Sequence, residues 1–290
     1  MIEKAVVPVA GLGTRMLPIT KSIPKEMLPV GRKPMIQIGV EELALSGIRE
    51  VCIVIRQGKE VIKDYLLSGY PYLEKADGSI EELEKLTAGI ELSFVYQERA
   101  LGLGDAMLKA KDFVGDNPFV LLVPDQIMQA DIPPTKQLLN HYRDNLPSIW
   151  TGLVKFPKEE LPYFVGARGV EYEELREDEV RIEKLYSEEE MAVVYRDKDF
   201  EVRGFGRTIY PPDIFAYLDQ RFINPATGEV DLLKTFEECR GKIPHYGLLL
   251  EGAPFDLGTF EGYYRYMQEI WRRRAVRGEW KDDEGRYLTA

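Results

Sequence analysis

Histidine and cysteine are scarce in this chain, with two of each in 290 residues: His141, His245, Cys52 and Cys239. No zinc-ligand spacing can be built from them, and no structural disulfide is expected in a reducing compartment. Cys52 lies inside Val51-Cys-Ile-Val-Ile55 and reads as a packed strand residue. Neither histidine sits in a motif, so each reads as a surface or packing residue rather than a catalyst. Positive charge is also in deficit. The net charge of −11 disfavours nucleic acid as the main partner, because such binders carry a basic face. No apolar run reaches the ~18 to 20 residues of a membrane helix, so no membrane association is expected. The opening Met-Ile-Glu-Lys has no signal-peptide pattern, and the expected location is cytoplasmic.

What is present is a composition of 44% hydrophobic and 30% charged residues, enough for one large domain or a domain with a smaller lobe. Strand-like runs at Lys4–Val9, Val51–Ile55, Ile90–Tyr96 and Phe119–Val123 alternate with helix-like runs at Met35–Leu45, Glu60–Leu67 and Leu103–Phe113. That alternation predicts an α/β fold: a mainly parallel sheet with helices on both faces. The polar stretch Ser68–Gly89 reads as an insertion on the rim of the sheet.

Beyond Asp125 the pattern is mixed. Strands are expected at Ile149–Phe156, Val180–Lys184, Ala192–Tyr195 and Val202–Tyr210, and helices at Pro211–Asp219 and Glu229–Cys239. This strand-rich section fits a second lobe laid against the first. With no repeat and no long linker, residues 1–276 are expected to form one continuous domain. Its parts are about 1–130, about 131–259 and a C-terminal helix at about 260–276, followed by a loosely held tail at 277–290. The basic run Arg272-Arg273-Arg274 reads as a solvated helix end.

One stretch organises the rest: Val9-Ala-Gly-Leu-Gly-Thr-Arg-Met-Leu-Pro18, running on to Ile23-Pro-Lys-Glu-Met-Leu-Pro29. A glycine-rich turn leaving a strand offers backbone N–H groups to an anion. Gly11 and Gly13 let the backbone come close, Arg15 adds a forked cationic donor, and Lys25 adds a mobile charge. These are parts for holding a polyphosphate. The loop is not a Walker A, which needs Lys then Ser or Thr after its last glycine, whereas Thr14 and Arg15 follow Gly13. A dinucleotide fingerprint needs a third glycine where Met16 stands. Downstream, Pro124-Asp125 follows a buried strand, which points a carboxylate into the crevice where such sheets bind ligands. Asp125 is a candidate Mg²⁺ ligand.

The signature stretch, with Lys33-Pro34-Met35-Ile36-Gln37 after it, resembles that of the sugar-1-phosphate nucleotidylyltransferases, most closely the bacterial UTP–glucose-1-phosphate uridylyltransferases. The resemblance implies a Rossmann-like sheet with a smaller, strand-rich sugar-binding lobe. It implies that Ala10, Gly11, Leu12, Gly13, Thr14, Arg15 and Lys25 hold the nucleotide. Gln97 and Gly102, in Gln97-Glu-Arg-Ala-Leu-Gly-Leu-Gly-Asp105, are implied to contact the pyrimidine; an amide can donate and accept at a uracil edge. The family's metal-binding Gly-Asp is Pro124-Asp125 here. Its second carboxylate matches Asp256 in Asp256-Leu-Gly-Thr-Phe-Glu-Gly-Tyr263. Glu183-Lys184 resembles the Glu-Lys-Pro that holds sugar hydroxyls and sugar phosphate, with Leu185 replacing the proline. Gly169 and Glu229 are the other implied sugar contacts, and Leu233-Lys234 stands where the family has Thr-Asp.

The expected reaction is transfer of a uridylyl group from UTP to glucose 1-phosphate with Mg²⁺, releasing pyrophosphate. Arg15, Lys25 and Asp125 are the expected catalytic residues. A sugar phosphate is already an anionic nucleophile, so charge neutralisation and alignment are needed rather than a general base. Three departures, at Pro124, Leu185 and Leu233-Lys234, keep other readings open: dTTP or a different sugar 1-phosphate, or a relative that only binds nucleotide sugar. The resemblance also implies a homodimer or homotetramer.

Overall fold

The computed structural model describes residues 2–69, 79–143, 146–165, 167–225 and 227–277. The first half runs through β1 (Lys4–Pro8), the short pair β2 (Pro29–Val30) and β3 (Lys33–Pro34), and α1 (Met35–Ser46). It continues through β4 (Glu50–Ile55), α2 (Glu60–Leu67), α3 (Ser79–Ala88), β5 (Glu91–Tyr96), α4 (Gly102–Lys109), α5 (Lys111–Val114), β6 (Phe119–Leu122) and β7 (Gln126–Gln129). The second half holds α6 (Pro134–His141), β8 (Ile149–Pro157), β9 (Val170–Glu174), β10 (Glu179–Leu185), α7 (Glu188–Val194) and β11 (Phe200–Tyr210). It ends with α8 (Ile214–Leu218), α9 (Leu232–Cys239), β12 (His245–Leu249), β13 (Ala253–Asp256) and α10 (Phe260–Arg277).

Nine strands form one sheet in the order β5-β4-β1-β6-β11-β8-β12-β10-β9. The first four pair in parallel, with Val6 opposite Cys52 and Leu121. Strand alternation divides the core by face. Ala5, Val7, Ile53 and Leu122 pack on α1 and α2 through Ile36, Val40, Leu43 and Ile62. Val6, Cys52, Val54 and Leu121 face the other way, onto Ala106, Met107, Phe215 and Leu218. Helices therefore cover both faces, as the alternation of the first half predicts. Burial pushes the thiols of Cys52 and Cys239 up to about 11, so both stay protonated and unreactive in the core.

Two features differ from the sequence expectation. Ala192–Tyr195 is not a strand; it belongs to the end of α7. Ser187 Oγ accepts from Glu190 N at 3.2 Å and Glu190 Oε2 accepts from Ser187 N at 2.9 Å, a capping box that starts a helix. Met191 and Tyr195, four residues apart, are both buried by it. The helix expected from Glu229 begins only at Leu232, where Asp231 caps it by accepting from Lys234 N at 3.2 Å. The rim insertion carries α3, while its segment 70–78 and the tail 278–290 lie outside the described residues.

Two details of topology position the site. After β6 the chain turns at Pro124-Asp125 into β7, which pairs antiparallel with β13 so that Gln126 lies opposite Asp256. α10 then packs on this pair through Phe255, Leu257 and Tyr266.

Candidate active site

A cleft of about 690 Å³ opens above the strand ends. Its wall includes Ala10, Gly11, Leu12, Gly13, Thr14, Arg15, Lys25, Gln97, Gly102, Asp125, Glu229 and Asp256, residues of the nucleotide, metal and sugar groups expected from sequence. A groove of about 820 Å³ along α10 contains none of them and is lined by Tyr163, Tyr264 and Arg265 among others.

The glycine-rich loop leaves β1 with Gly13 in the left-handed region (φ 69°), and Thr20 Oγ1 donates to Gly13 O at 2.7 Å. Arg15 is exposed at the cleft mouth and donates to Val165 O at 3.3 Å. Lys25 forms an ion pair with Asp125. Burial alone disfavours both charges, but each outweighs it for the other: the Lys25 ammonium is held above its usual range and the Asp125 carboxyl below. The neighbouring Glu26 turns inward. It pairs at 2.7 Å with Lys59, whose Nζ also donates to Val9 O at 2.5 Å; both side chains are almost wholly buried.

Asp125 and Asp256 converge. An added Cβ on Gly258 would lie 2.7 Å from Asp125 Oδ2 and 2.9 Å from Asp256 Oδ1, so only glycine fits between the two carboxylates. At Gly262 a Cβ would sit 1.8 Å from Asp256 O, which lets the first turn of α10 close on that backbone. Asp256 Oδ1 accepts from Gly258 N at 2.8 Å and Oδ2 from Val165 N at 2.9 Å. Burial, then the charge of Asp125, pushes the Asp256 carboxyl up to about 6. Two close carboxylates, one of them hard to ionise, suit a divalent cation with oxygen preference whose remaining positions go to phosphate and water. Among the described residues no cluster of three or more His, Cys, Asp or Glu could hold a metal, so a dedicated protein cage is not what this donor set resembles.

Gln97 follows β5 and is buried, with Nε2 donating to Gly102 O at 3.0 Å and Asp105 Oδ2 at 2.9 Å. Gly102 opens α4 at φ 85°, and a Cβ there would meet Glu229 Cβ at 2.8 Å. Glu229 thus packs directly on the turn that follows Gln97.

The other expected sugar residues are not brought to the wall. Gly169 donates its N–H to Met191 Sδ at 3.0 Å and accepts from Tyr186 N at 2.9 Å, so both its backbone groups are engaged. Glu183 lies in a register shift of the β9–β10 pairing, between Ile182 and Lys184. Glu183 Oε1 accepts from Arg181 Nε at 2.5 Å, and the Lys184 ammonium pairs with Glu190. Leu185, where the family has proline, faces the cleft in their place, as does Arg168.

A family model described as nucleotidyl transferase matches residues 4–273. The chain belongs to the nucleotidyl transferase family. Among its relatives is a UTP–glucose-1-phosphate uridylyltransferase of Bacillus subtilis (strain 168), 33% identical over 276 residues that cover 90% of this chain and 88% of the relative. A crystal structure of UDP-glucose pyrophosphorylase complexed with UDP-glucose superposes with TM-score 0.82 at 27% identity, covering 94% of this chain and all of the other. The UDP-glucose pyrophosphorylase of Acinetobacter baumannii gives TM-score 0.78 at 26% identity, covering 97% and 100%.

Several cleft residues of this nucleotidyl transferase were not singled out from sequence. His245, read as packing, lines the cleft with Nε2 2.8 Å from Thr151 Oγ1, and enclosure pushes its pKa down to about 3. His141 instead meets Glu179 at 3.0 Å away from the cleft. Arg168 also lines the cleft, while Asp105 and Lys59 stand behind its wall, bonded to Gln97 and Glu26. Arg168 and Asp105 each flank a motif glycine, whereas Lys59 had no local signal. No helix among the described residues is long and apolar enough to cross a membrane.

Proposed function

We propose that this nucleotidyl transferase moves the uridylyl group of UTP onto glucose 1-phosphate. A phosphate oxygen of the sugar phosphate attacks the α-phosphorus of UTP, and the bond from that phosphorus to the α–β bridging oxygen breaks. UDP-glucose forms and pyrophosphate leaves. The observation that carries the proposal is the convergence of Lys25, Asp125 and Asp256 at the mouth of the glycine-rich loop. The relatives that the chain resembles carry this activity in their names.

Two anions must meet in line, so the protein's task is to supply positive charge and fix geometry. Arg15, at the cleft mouth, serves the leaving pyrophosphate. Lys25, kept charged by Asp125, serves the triphosphate. Asp125 and Asp256 are the residues that would hold Mg²⁺, which when bound supplies Lewis-acid charge at the reacting phosphate. Glu229, packed on Gly102, serves the sugar hydroxyls. Lys184 is assigned to the sugar phosphate, which must displace Glu190 to use it. Residues 1–276 act as one domain within a homodimer or homotetramer.

The direct test is ³¹P NMR of UTP, glucose 1-phosphate and Mg²⁺ with the enzyme. The α-phosphorus of UTP should move into a new sugar-linked diphosphate as pyrophosphate appears. Hydrolysis to UMP with no diphosphate product would contradict transfer.

A further inference from the structure

The orientation of the Gln97 amide is not arbitrary. Its Nε2 faces two oxygens at once, the Gly102 carbonyl at 3.0 Å and Asp105 Oδ2 at 2.9 Å. A flipped amide would set Oε1 against both, oxygen to oxygen with no proton between, so chemistry fixes the assignment. The remaining Oε1 makes no hydrogen bond among the described residues, and Gln97 forms part of the cleft wall. The cleft therefore meets a hydrogen-bond acceptor at this point and not a donor.

Asp105 is itself anchored. It is buried at 1% exposure, and its other oxygen accepts from Arg221 Nη1 at 2.9 Å. Arg221 is the one non-glycine among the described residues with a positive φ, 47°. A left-handed arginine costs backbone energy, and such strain persists where the surroundings require it. Arginine has no acceptor, so Asp105 can only present an oxygen to it.

We propose that Asp105, held by Arg221, is a positioning residue that locks Gln97 with its carbonyl toward the base and thereby selects uracil over cytosine. The inference rests on the uridylyl-transfer reading for its substrate. Uracil offers an N3–H donor to Oε1. Cytosine in the same pose offers a lone pair at N3, and two acceptors in a buried site repel with no water to intervene. Thymine shares the N3–H, so the device sorts uracil and thymine from cytosine.

The test compares UTP with CTP in two readouts, kcat/KM for pyrophosphate release and nucleotide affinity by calorimetry. Asp105→Asn keeps its oxygen on Arg221, which turns its amide toward Gln97 and leaves the Gly102 carbonyl alone to oppose the flipped Gln97. The UTP:CTP ratio should fall about tenfold or more, the size of one misplaced buried hydrogen bond. Arg221→Met, at a half-exposed side chain whose loss leaves the core intact, should lower the ratio in the same direction, and Arg221→Lys should restore it. A purely structural role would lower both nucleotides alike and leave the ratio in place. A ratio within twofold of the wild type in folded Asp105→Asn and Arg221→Met overturns the proposal. A wild type that binds both nucleotides equally also overturns it. If the wild type binds UTP over CTP and loses that preference in the variants, yet releases no pyrophosphate, the base lock stands and the transfer reading falls.

Discussion

Lys25 and Asp125, one hundred positions apart in sequence, are joined in an ion pair in the wall of the cleft. One comes from the loop after β1 and the other from the turn after β6, so the two adjacent parallel strands bring them together. The pair keeps a cation and a carboxylate charged inside a buried site before any substrate arrives.

Replacing Asp125 with Asn should leave the fold intact and lower kcat for pyrophosphate release by roughly 10²–10³, the usual cost of one lost electrostatic group in a transition state. Pyrophosphate release and the thermal unfolding midpoint should be measured together. Full Mg²⁺-dependent turnover in the variant would remove Asp125 from the site.

The buried Lys59–Glu26 pair braces the loop from behind. Lys59→Met leaves Glu26 charged and unpaired and should cost about 3–5 kcal/mol. Combining it with Glu26→Gln should recover part of that loss. Denaturant unfolding of the three variants checks this, and equal stability of the single Lys59 variant and the wild type would contradict it.

His245 gives a pH dependence with a definite sign. Its pKa is about 3 in the fold and near 6.5 when unfolded, so below pH 6.5 the unfolded chain takes up a proton that the fold refuses. Stability attached to this ring is complete above pH 6.5 and is lost as the pH falls toward 3. The difference between wild type and His245→Asn should therefore narrow or reverse on acidification, by up to about 1.4 kcal/mol per pH unit. Parallel stability curves from pH 7 to 4.5 would show that His245 titrates normally.

Lys184 stands off the wall, paired with Glu190 near the surface, where such pairs are weak enough for a phosphate dianion to displace. Lys184→Ala should raise KM for the sugar 1-phosphate about tenfold while changing KM for UTP little. Glu190→Gln, which frees the ammonium, should lower the sugar-phosphate KM. An unchanged KM in Lys184→Ala would exclude it from the sugar site.

Much of the site was legible because its residues sit in short motifs at strand ends. Arg15, Lys25, Gln97, Asp125 and Asp256 all line the cleft for that reason. Spacing in the last motif also has a visible cause, since Gly258 separates the two carboxylates and Gly262 admits α10. Lys59, Asp105, Arg221 and His245 were not legible as site residues, because each acquires its place through contacts made by folding. Arg221 reaches Asp105 across 116 positions. Val193 and Val194 are β-branched and favour a strand, but the Ser187–Glu190 capping box holds them in α7. Lys184 was matched by motif, but a register shift in β10 turned Leu185 to the cleft.

The most direct test of uridylyl transfer is pyrophosphate release with Mg²⁺ from UTP, dTTP, CTP, ATP and GTP in turn, each paired with a panel of sugar 1-phosphates. Fastest release with UTP and glucose 1-phosphate, abolished by EDTA, is the predicted result. No release from any pair by a protein that still binds UTP or UDP-glucose would contradict catalysis and leave a nucleotide-sugar binder.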